Sequence, residues 1–258
     1  MRRLPTYQSC LVAQSLKPAG NGVLWAIPVW ADKIVSIIIY FGIRMNRMNI
    51  LAHRGCWAQI EKKNSFEALK GALDAGFGIE TDFRDCNGAV VISHDPPEGD
   101  VLEAKAFFEL YAELGANGRL ALNIKADGLQ KPLLALLSET GVTKENYYAF
   151  DMSVPDVIGY FSHDFPAYTR LSEYEAEPLF LNRAAGVWVD NFTGVFAQVV
   201  EAKKILAGGN RACIVSAELH QRDHHALWDE IAAAKLHENP LFELCTDLPE
   251  AAYTFFRT

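Results

Sequence analysis

A single (β/α)8 barrel is the fold this sequence predicts, and three observations predict it. Eight short apolar, β-rich runs recur along the chain, helical patterns lie between them, and polar residues gather at the C-terminal ends of the runs. Eight such units in the residues after position 47 suit a compact barrel, which typically needs roughly 200 residues or more. A doubly wound open sheet is the competing architecture, and the two differ in where polar residues collect.

The predicted strands are 49–53, 79–84, 120–125, 146–150, 167–170, 187–190, 212–217 and 243–246. A small extra strand, 89–93, follows Asn87-Gly88, a strong hairpin signal, so a hairpin is added after the second strand. The first helix is expected at 65–75, with Phe66, Leu69 and Leu73 on one stripe and Asn64 and Glu67 spaced as a cap. Further helices are expected at 102–114, 129–140, 154–161, 197–207, 224–235 and 249–256.

Composition narrows the classes. The chain has 258 residues, half of them hydrophobic and 22% charged, which supports a buried core and excludes a disordered or fibrous chain. Its net charge of −8 argues against a nucleic-acid partner, whose binders usually carry a basic face. The charge is divided: residues 1–47 hold six Lys/Arg against one acid, and the rest holds 18 against 31. Residues 22–43 are the most apolar stretch, about the length of a membrane helix. Asp32 and Lys33 fall at its middle, each costing roughly 2.5–3.5 kcal/mol there, and Pro28 interrupts it. The expectation is therefore two segments. Residues 1–47 form an N-terminal extension, read either as a start placed upstream of Met45 or Met48 or as a membrane-associated anchor; 48–258 form the barrel. The five cysteines are odd in number and widely spaced, so free thiols in a reducing, cytoplasmic setting are expected.

In a barrel, chemistry sits where strands end. The first strand ends in His53-Arg54-Gly55, the second carries Glu80-Thr81-Asp82, and the extra strand runs into His94-Asp95. The third ends in Asn123-Ile124-Lys125, the sixth in Asp190-Asn191, and the seventh in Ser216-Ala217-Glu218. Glu80 and Asp82 lie two apart and share a face, a natural seat for a hard divalent cation.

In order and spacing, LAHRG, NS-x-x-A on a helix, IETDFR and NGAVVISHDP resemble the glycerophosphodiester phosphodiesterase family and, more broadly, the phospholipase-C-like phosphodiesterases. The terminal CTDLPEAAYTF is similar to the family's closing strand and its Thr-Asp-x-Pro. The resemblance implies His53 and His94 as the general acid/base pair, Arg54 as phosphate holder, and Glu80 and Asp82 as ligands of Mg²⁺ or Ca²⁺. It also implies Lys125 as the group that neutralises developing phosphoryl charge.

Two departures matter. Lys62-Lys63-Asn64-Ser65 stands where the family usually has Pro-Glu-Asn-Thr, and Asn123 stands where it usually has a third metal carboxylate. An amide oxygen ligates but brings no negative charge, so Glu218 is considered as a compensating ligand from across the mouth.

Plainer readings stand beside these. Glu80 and Asp82 would be a salt-bridged pair, Lys125 a surface lysine, Asn123 a turn or filling residue, Glu218 a solvated acid, and Asp190 a structural hydrogen-bonder. Glu218, His220, Asp223, His224 and His225 make a second ligand-like cluster, for which a capped helix start is the plainer account. Trp57, Tyr168 and Trp188 are candidates to line the pocket. The expected activity is metal-dependent hydrolysis of a small glycerophosphodiester, with no membrane partner unless 22–43 supplies one. The alternatives are a phospholipase-D-like enzyme acting on a lipid or sugar diester, its apolar surface expected only from the N-terminal segment, and a degenerate barrel that binds a phosphorylated ligand.

Overall fold

Alternating side chains and short turns make each apolar run a stave, and the staves join in one direction. The computed structural model describes residues 47–257. Strand β1 (Ile50–His53) lies between β2 (Gly78–Cys86) and the final strand, Phe242–Thr246, parallel to both. Beyond β2, the left-handed Asn87-Gly88 turn folds the chain back as β3 (Ala89–Ile92), which pairs with the two-residue β4 (Leu102–Glu103). Strands β5 (Leu120–Ile124) and β6 (Tyr147–Phe150) continue from β2 on the other side. Strands β7 (Tyr168–Leu171), β8 (Gly186–Val189) and β9 (Arg211–Val215) run back to β10 (Phe242–Thr246). A parallel bridge from Ala149 to Ala167 joins β6 to the start of β7, with Ala149 N–H donating to Pro166 O at 2.9 Å. Each of eight parallel strands thus has a neighbour on both sides, the pairing of a (β/α)8 barrel.

Among the described residues seven α-helices follow the strands: α1 (Phe66–Asp74), α2 (Ala104–Glu113), α3 (Gln130–Thr140), α4 (Val154–Ser162), α5 (Gln198–Ala207), α6 (His225–Ala233) and α7 (Pro249–Phe255). Outward side chains such as Ile50, Ile79, Leu122 and Ile214 pack under the helices, while Leu51, Ala121, Tyr148, Tyr168, Cys213 and Cys245 fill the bore. No helix among the described residues is long and apolar enough to cross a membrane.

The N-terminal end of the bore is polar and closed. Glu243, fully buried, accepts from the hydroxyls of Tyr148 (3.0 Å) and Tyr168 (3.2 Å) and pairs with Arg119 at 3.0 Å and Arg211 at 3.3 Å. The two tyrosine rings stack 3.6 Å apart above it.

Three sequence expectations shift. The helix expected from 102 begins at Ala104, because Leu102 and Glu103 are drawn into pairing with β3. The cap of α1 is Ser65, whose Oγ accepts the Ala68 amide, and not Asn64, whose side chain is spent elsewhere. Arg47, assigned to the leading segment, binds this body: it donates to Ala75 O at 2.7 Å, pairs with Glu250, and lies over the Tyr253 ring. The apolar run 22–43 and Met45 lie outside the described residues.

Candidate active site

Backbone shape brings the first two groups in. His53 ends β1, and Arg54 (φ 59°) and Gly55 (φ 90°) then both take left-handed conformations that turn the chain sharply. A Cβ on Gly55 would sit 2.5 Å from the Ala68 backbone, so only glycine lets α1 pack this close behind the C-terminal end of β1.

His53 Nδ1 lies 2.6 Å from Asp247 Oδ1. A carboxylate only accepts, so Nδ1 carries a hydrogen, and Nε2 faces Glu80 Oε2 at 3.8 Å. Asp247 is itself held: Lys63 pairs with its Oδ2 at 3.2 Å, and its amide donates to Glu218 Oε1 at 3.1 Å. Burial opposes its ionisation, but the bonds from His53 and the charge of Lys63 prevail and hold the carboxyl below the usual carboxylate range.

Glu80 and Asp82 are both fully buried on one face of β2. Burial pushes the Glu80 carboxyl up, with His53 opposing. Asn123, paired in register with Asp82, donates from Nδ2 to Glu80 Oε1 at 2.9 Å. Asp82 Oδ2 forms an ion pair with Arg54 at 2.8 Å and accepts a hydrogen bond from Asn64 Nδ2 at 2.9 Å, while its Oδ1 has Lys125 at 3.6 Å. Asn64 Oδ1 in turn accepts from Thr81. Three oxygens remain buried without a hydrogen bond: Glu80 Oε2, Asp82 Oδ1 and Asn123 Oδ1. An orphaned buried acceptor costs roughly 1–3 kcal/mol, and an all-oxygen set with two carboxylates fits a hard divalent cation.

These groups open into a cavity of about 390 Å³ lined by His53, Arg54, Lys63, Glu80, His94, Asn123 and Lys125. Its lining also takes in Phe150, Trp188 and Phe192, together with the polar Asp151, Arg170, Glu175, Asp190 and His220. His94, on the loop after β3, is half-exposed, with Nδ1 3.0 Å from Asp95. Lys125 is steadied by Asp151 at 2.9 Å, and Arg170 bridges Asp151 and Glu175.

Seven of the eight sequence-predicted site residues meet here or directly behind the wall. Glu218 does not join them. Both its oxygens are engaged, by Ser216 and Thr246 hydroxyls at 2.5 Å each and by the Asp247 amide, because the strand ends of β9 and β10 converge on it. It shapes the turn that carries Asp247, and its hydrogen bonds go to Ser216, Thr246 and the Asp247 amide rather than to the carboxylate pair. The second ligand-like cluster also divides. His220 points into the cavity and bonds Asp190 at 2.7 Å, whereas Asp223, His224 and His225 stay together outside, with Asp223 accepting the His225 amide at the helix start. Of the aromatic candidates, Trp188 lines the cavity, Tyr168 belongs to the closed floor, and Trp57 donates to His53 O while lying 4.3 Å from Lys63 Nζ. Sequence reasoning missed Asp247 as a site residue, although the Thr-Asp-x-Pro run was its signal. It also missed Asp151 and Arg170, which sit at strand ends with no motif around them.

Searches of family models and of curated proteins return no match for the chain. Solved structures do match. A glycerophosphodiester phosphodiesterase from Parabacteroides distasonis aligns with a TM-score of 0.61 at 15% identity, over 82% of this chain and 98% of that one. One from Agrobacterium tumefaciens aligns at 0.59 and 18%, over 80% and 99%. A phosphodiesterase from Oleispira antarctica in complex with the product sn-glycerol-3-phosphate aligns at 0.61 and 15%, over 81% and 97%. The chain has the glycerophosphodiester phosphodiesterase fold. In that fold the mouth at the C-terminal strand ends is the face where His53, Glu80 and Lys125 converge.

The His53–Asp247 pair gives a pH prediction. Because the folded Asp247 carboxyl is depressed, its stabilisation is fully present above the ordinary value of about 3.9 and is lost as pH falls through the depressed value. Asp247→Asn is expected to cost roughly 1.5–3 kcal/mol, or about 5 °C in Tm, evenly from pH 5 to 8. Below pH 4 the wild-type and variant melting curves should converge; a gap that widens there would contradict the ionised pair.

Proposed function

We propose that this protein is a phosphoric diester hydrolase acting on a small glycerophosphodiester or similar alcohol-phosphate diester. The observation that carries this reading is the convergence, at one mouth, of an Asp247-held imidazole, the three orphaned oxygens and the cations Arg54 and Lys125.

Arg54 and Lys125 hold the anionic diester and offset the charge that builds on its oxygens. His53 Nε2 takes the proton of the attacking hydroxyl, from water or from the substrate itself, as that oxygen bonds to phosphorus. The bond from phosphorus to the leaving alkoxide breaks, and protonated His94 returns a proton to that oxygen. Asp247 keeps His53 in the tautomer the first step needs and stabilises the imidazolium that results. Glu80, Asp82 and Asn123 would hold Mg²⁺ or Ca²⁺, which when bound supplies Lewis-acid stabilisation of the phosphoryl oxygens. A cytoplasmic setting is supported by the described cysteines, all of them free thiols.

The test is alcohol release from a panel of glycerophosphodiesters with Mg²⁺, with Ca²⁺ and with EDTA. Turnover is expected with cation and is expected to fall away in EDTA; no turnover on any diester would reduce the barrel to a binder. Asn123→Asp should lower the cation concentration for half-activation about tenfold by adding a third negative ligand. An unchanged cation dependence would remove Asn123 from the ligand set.

A further inference from the structure

His53 is held twice, at its backbone and at its ring, and both holds lead to the loop that follows β1. That loop leaves residues 58–62 exposed but turns Trp57, Lys63 and Asn64 inward. A short turn at Ile60–Lys62 reverses the chain, and Asn64, in a left-handed conformation, returns its amide to Arg54 O at 3.0 Å. That anchor fixes where Lys63 stands.

Four contacts then close a ring. Trp57 Nε1 donates to His53 O at 3.0 Å. The Trp57 ring centroid lies 4.3 Å from Lys63 Nζ, a cation over an aromatic face. Lys63 Nζ pairs with Asp247 Oδ2 at 3.2 Å, and Asp247 Oδ1 meets His53 Nδ1 at 2.6 Å. The circuit runs from the His53 carbonyl through three side chains and back to the His53 imidazole. The Lys63 and Asp247 side chains are only 16% and 15% exposed, so water and salt screen this pair less than a pair on the surface.

Lys63 also borders the cavity, which leaves two tasks open to it: a cation for the substrate, or a support for the base. Its contacts decide. Both side-chain partners of the ammonium, the indole and the carboxylate, are bonded to His53 in turn. Lys63 stands where this chain departs from the family's pattern, so the resemblance gives it no role.

We propose that Lys63 is a positioning residue, acting through Asp247 to hold the His53 imidazole with Nε2 toward the cavity. This rests on the hydrolase reading, in which His53 is the base. Without the ammonium, Asp247 Oδ2 loses its partner and the carboxylate is free to turn, and the imidazole turns with it. A tilted base slows the reaction without weakening the grip on substrate.

Steady-state kinetics on the best diester of the panel, with its activating cation, test the role. Lys63→Met is expected to lower kcat about tenfold with KM within about twofold, the size of one lost hydrogen bond to a charged group. Lys63→Arg should restore most of the rate. Lys62→Met, which removes the same charge from an exposed neighbour, should change nothing. In an Asp247→Asn background Lys63→Met should have no further effect on kcat, because the path to His53 is already cut. Thermal melts check each variant, and Lys63→Gln takes the place of Lys63→Met if the latter unfolds. A KM that rises while kcat holds would make Lys63 a substrate cation, and an effect that adds in full to Asp247→Asn would bypass the circuit; either overturns the proposal. A second measurement needs no turnover. The His53 Nδ1–H proton gives a downfield ¹H resonance, identified by its loss in both His53→Ala and Asp247→Asn. It is expected to broaden by exchange in Lys63→Met and to stay sharp in Lys63→Arg. A resonance that stays sharp in Lys63→Met overturns the positioning role while leaving the hydrolase standing. Broadening in Lys63→Met, with no diester hydrolysed by the wild type, keeps the positioning role and sinks the hydrolase.

Discussion

His53→Ala is expected to lower kcat roughly 10³- to 10⁴-fold, the upper part of the range for losing a positioned acid/base group. The two ring nitrogens of this imidazole face different partners. Nδ1 is bound to Asp247 at 2.6 Å, and Nε2 faces the cavity within 3.8 Å of Glu80. Alanine removes the base and also takes from the Asp247 carboxylate its His53 partner, leaving it with Lys63. Added imidazole should restore part of the rate by diffusing into the space left, which separates lost chemistry from lost folding. His94→Ala should be rescued less, because His94 stands half-exposed with no enclosed space to refill. A His53→Ala enzyme within tenfold of wild type would remove His53 from the reaction.

Glu243→Ala carries the largest expected effect on stability. Removing one partner of a buried ion pair leaves the other charge uncompensated, at a cost of about 3–5 kcal/mol. Here Arg119 and Arg211 both lose their anion, and the Tyr148 and Tyr168 hydroxyls lose their acceptor. At roughly 2–4 °C per kcal/mol for a body of this size, Tm should fall by about 10 °C or more. Glu243→Gln retains an acceptor for the tyrosines but no charge for the arginines, so it should fall between wild type and alanine. Thermal melts of the three proteins read the order directly, and a Glu243→Ala melt within 2 °C of wild type would mean that water or backbone replaces the carboxylate.

Much of this architecture was legible because strands alternate and because functional groups sit at their ends. His53, Glu80, Asp82 and Asn123 stand out in the sequence as polar residues at strand ends, where a two-residue period puts alternate side chains in one space, and the family resemblance supplies the roles expected of them. Contacts between distant segments were not legible. Glu218 lies at a strand end like the others, but its bonding to Ser216 and Thr246 depends on how β9 and β10 meet, which no local pattern encodes. Asn64 sits at helical capping spacing, yet its left-handed backbone turns its amide toward Asp82 and Thr81 instead. Glu243 reads as an ordinary polar residue opening a strand, because its two arginines lie 124 and 32 positions away in sequence. The two-residue β4 is too short to leave any periodicity at all.

The closed floor has a kinetic meaning. With Glu243, its arginines and the stacked tyrosines sealing one end of the bore, the cavity is a cul-de-sac. A hydrolysed diester yields an alcohol and a phosphomonoester, and both must leave by the doorway through which the next substrate arrives. Under the proposed hydrolysis the monoester carries more negative charge than the diester and would stand among Arg54 and Lys125, so accumulated monoester is expected to compete directly with incoming substrate.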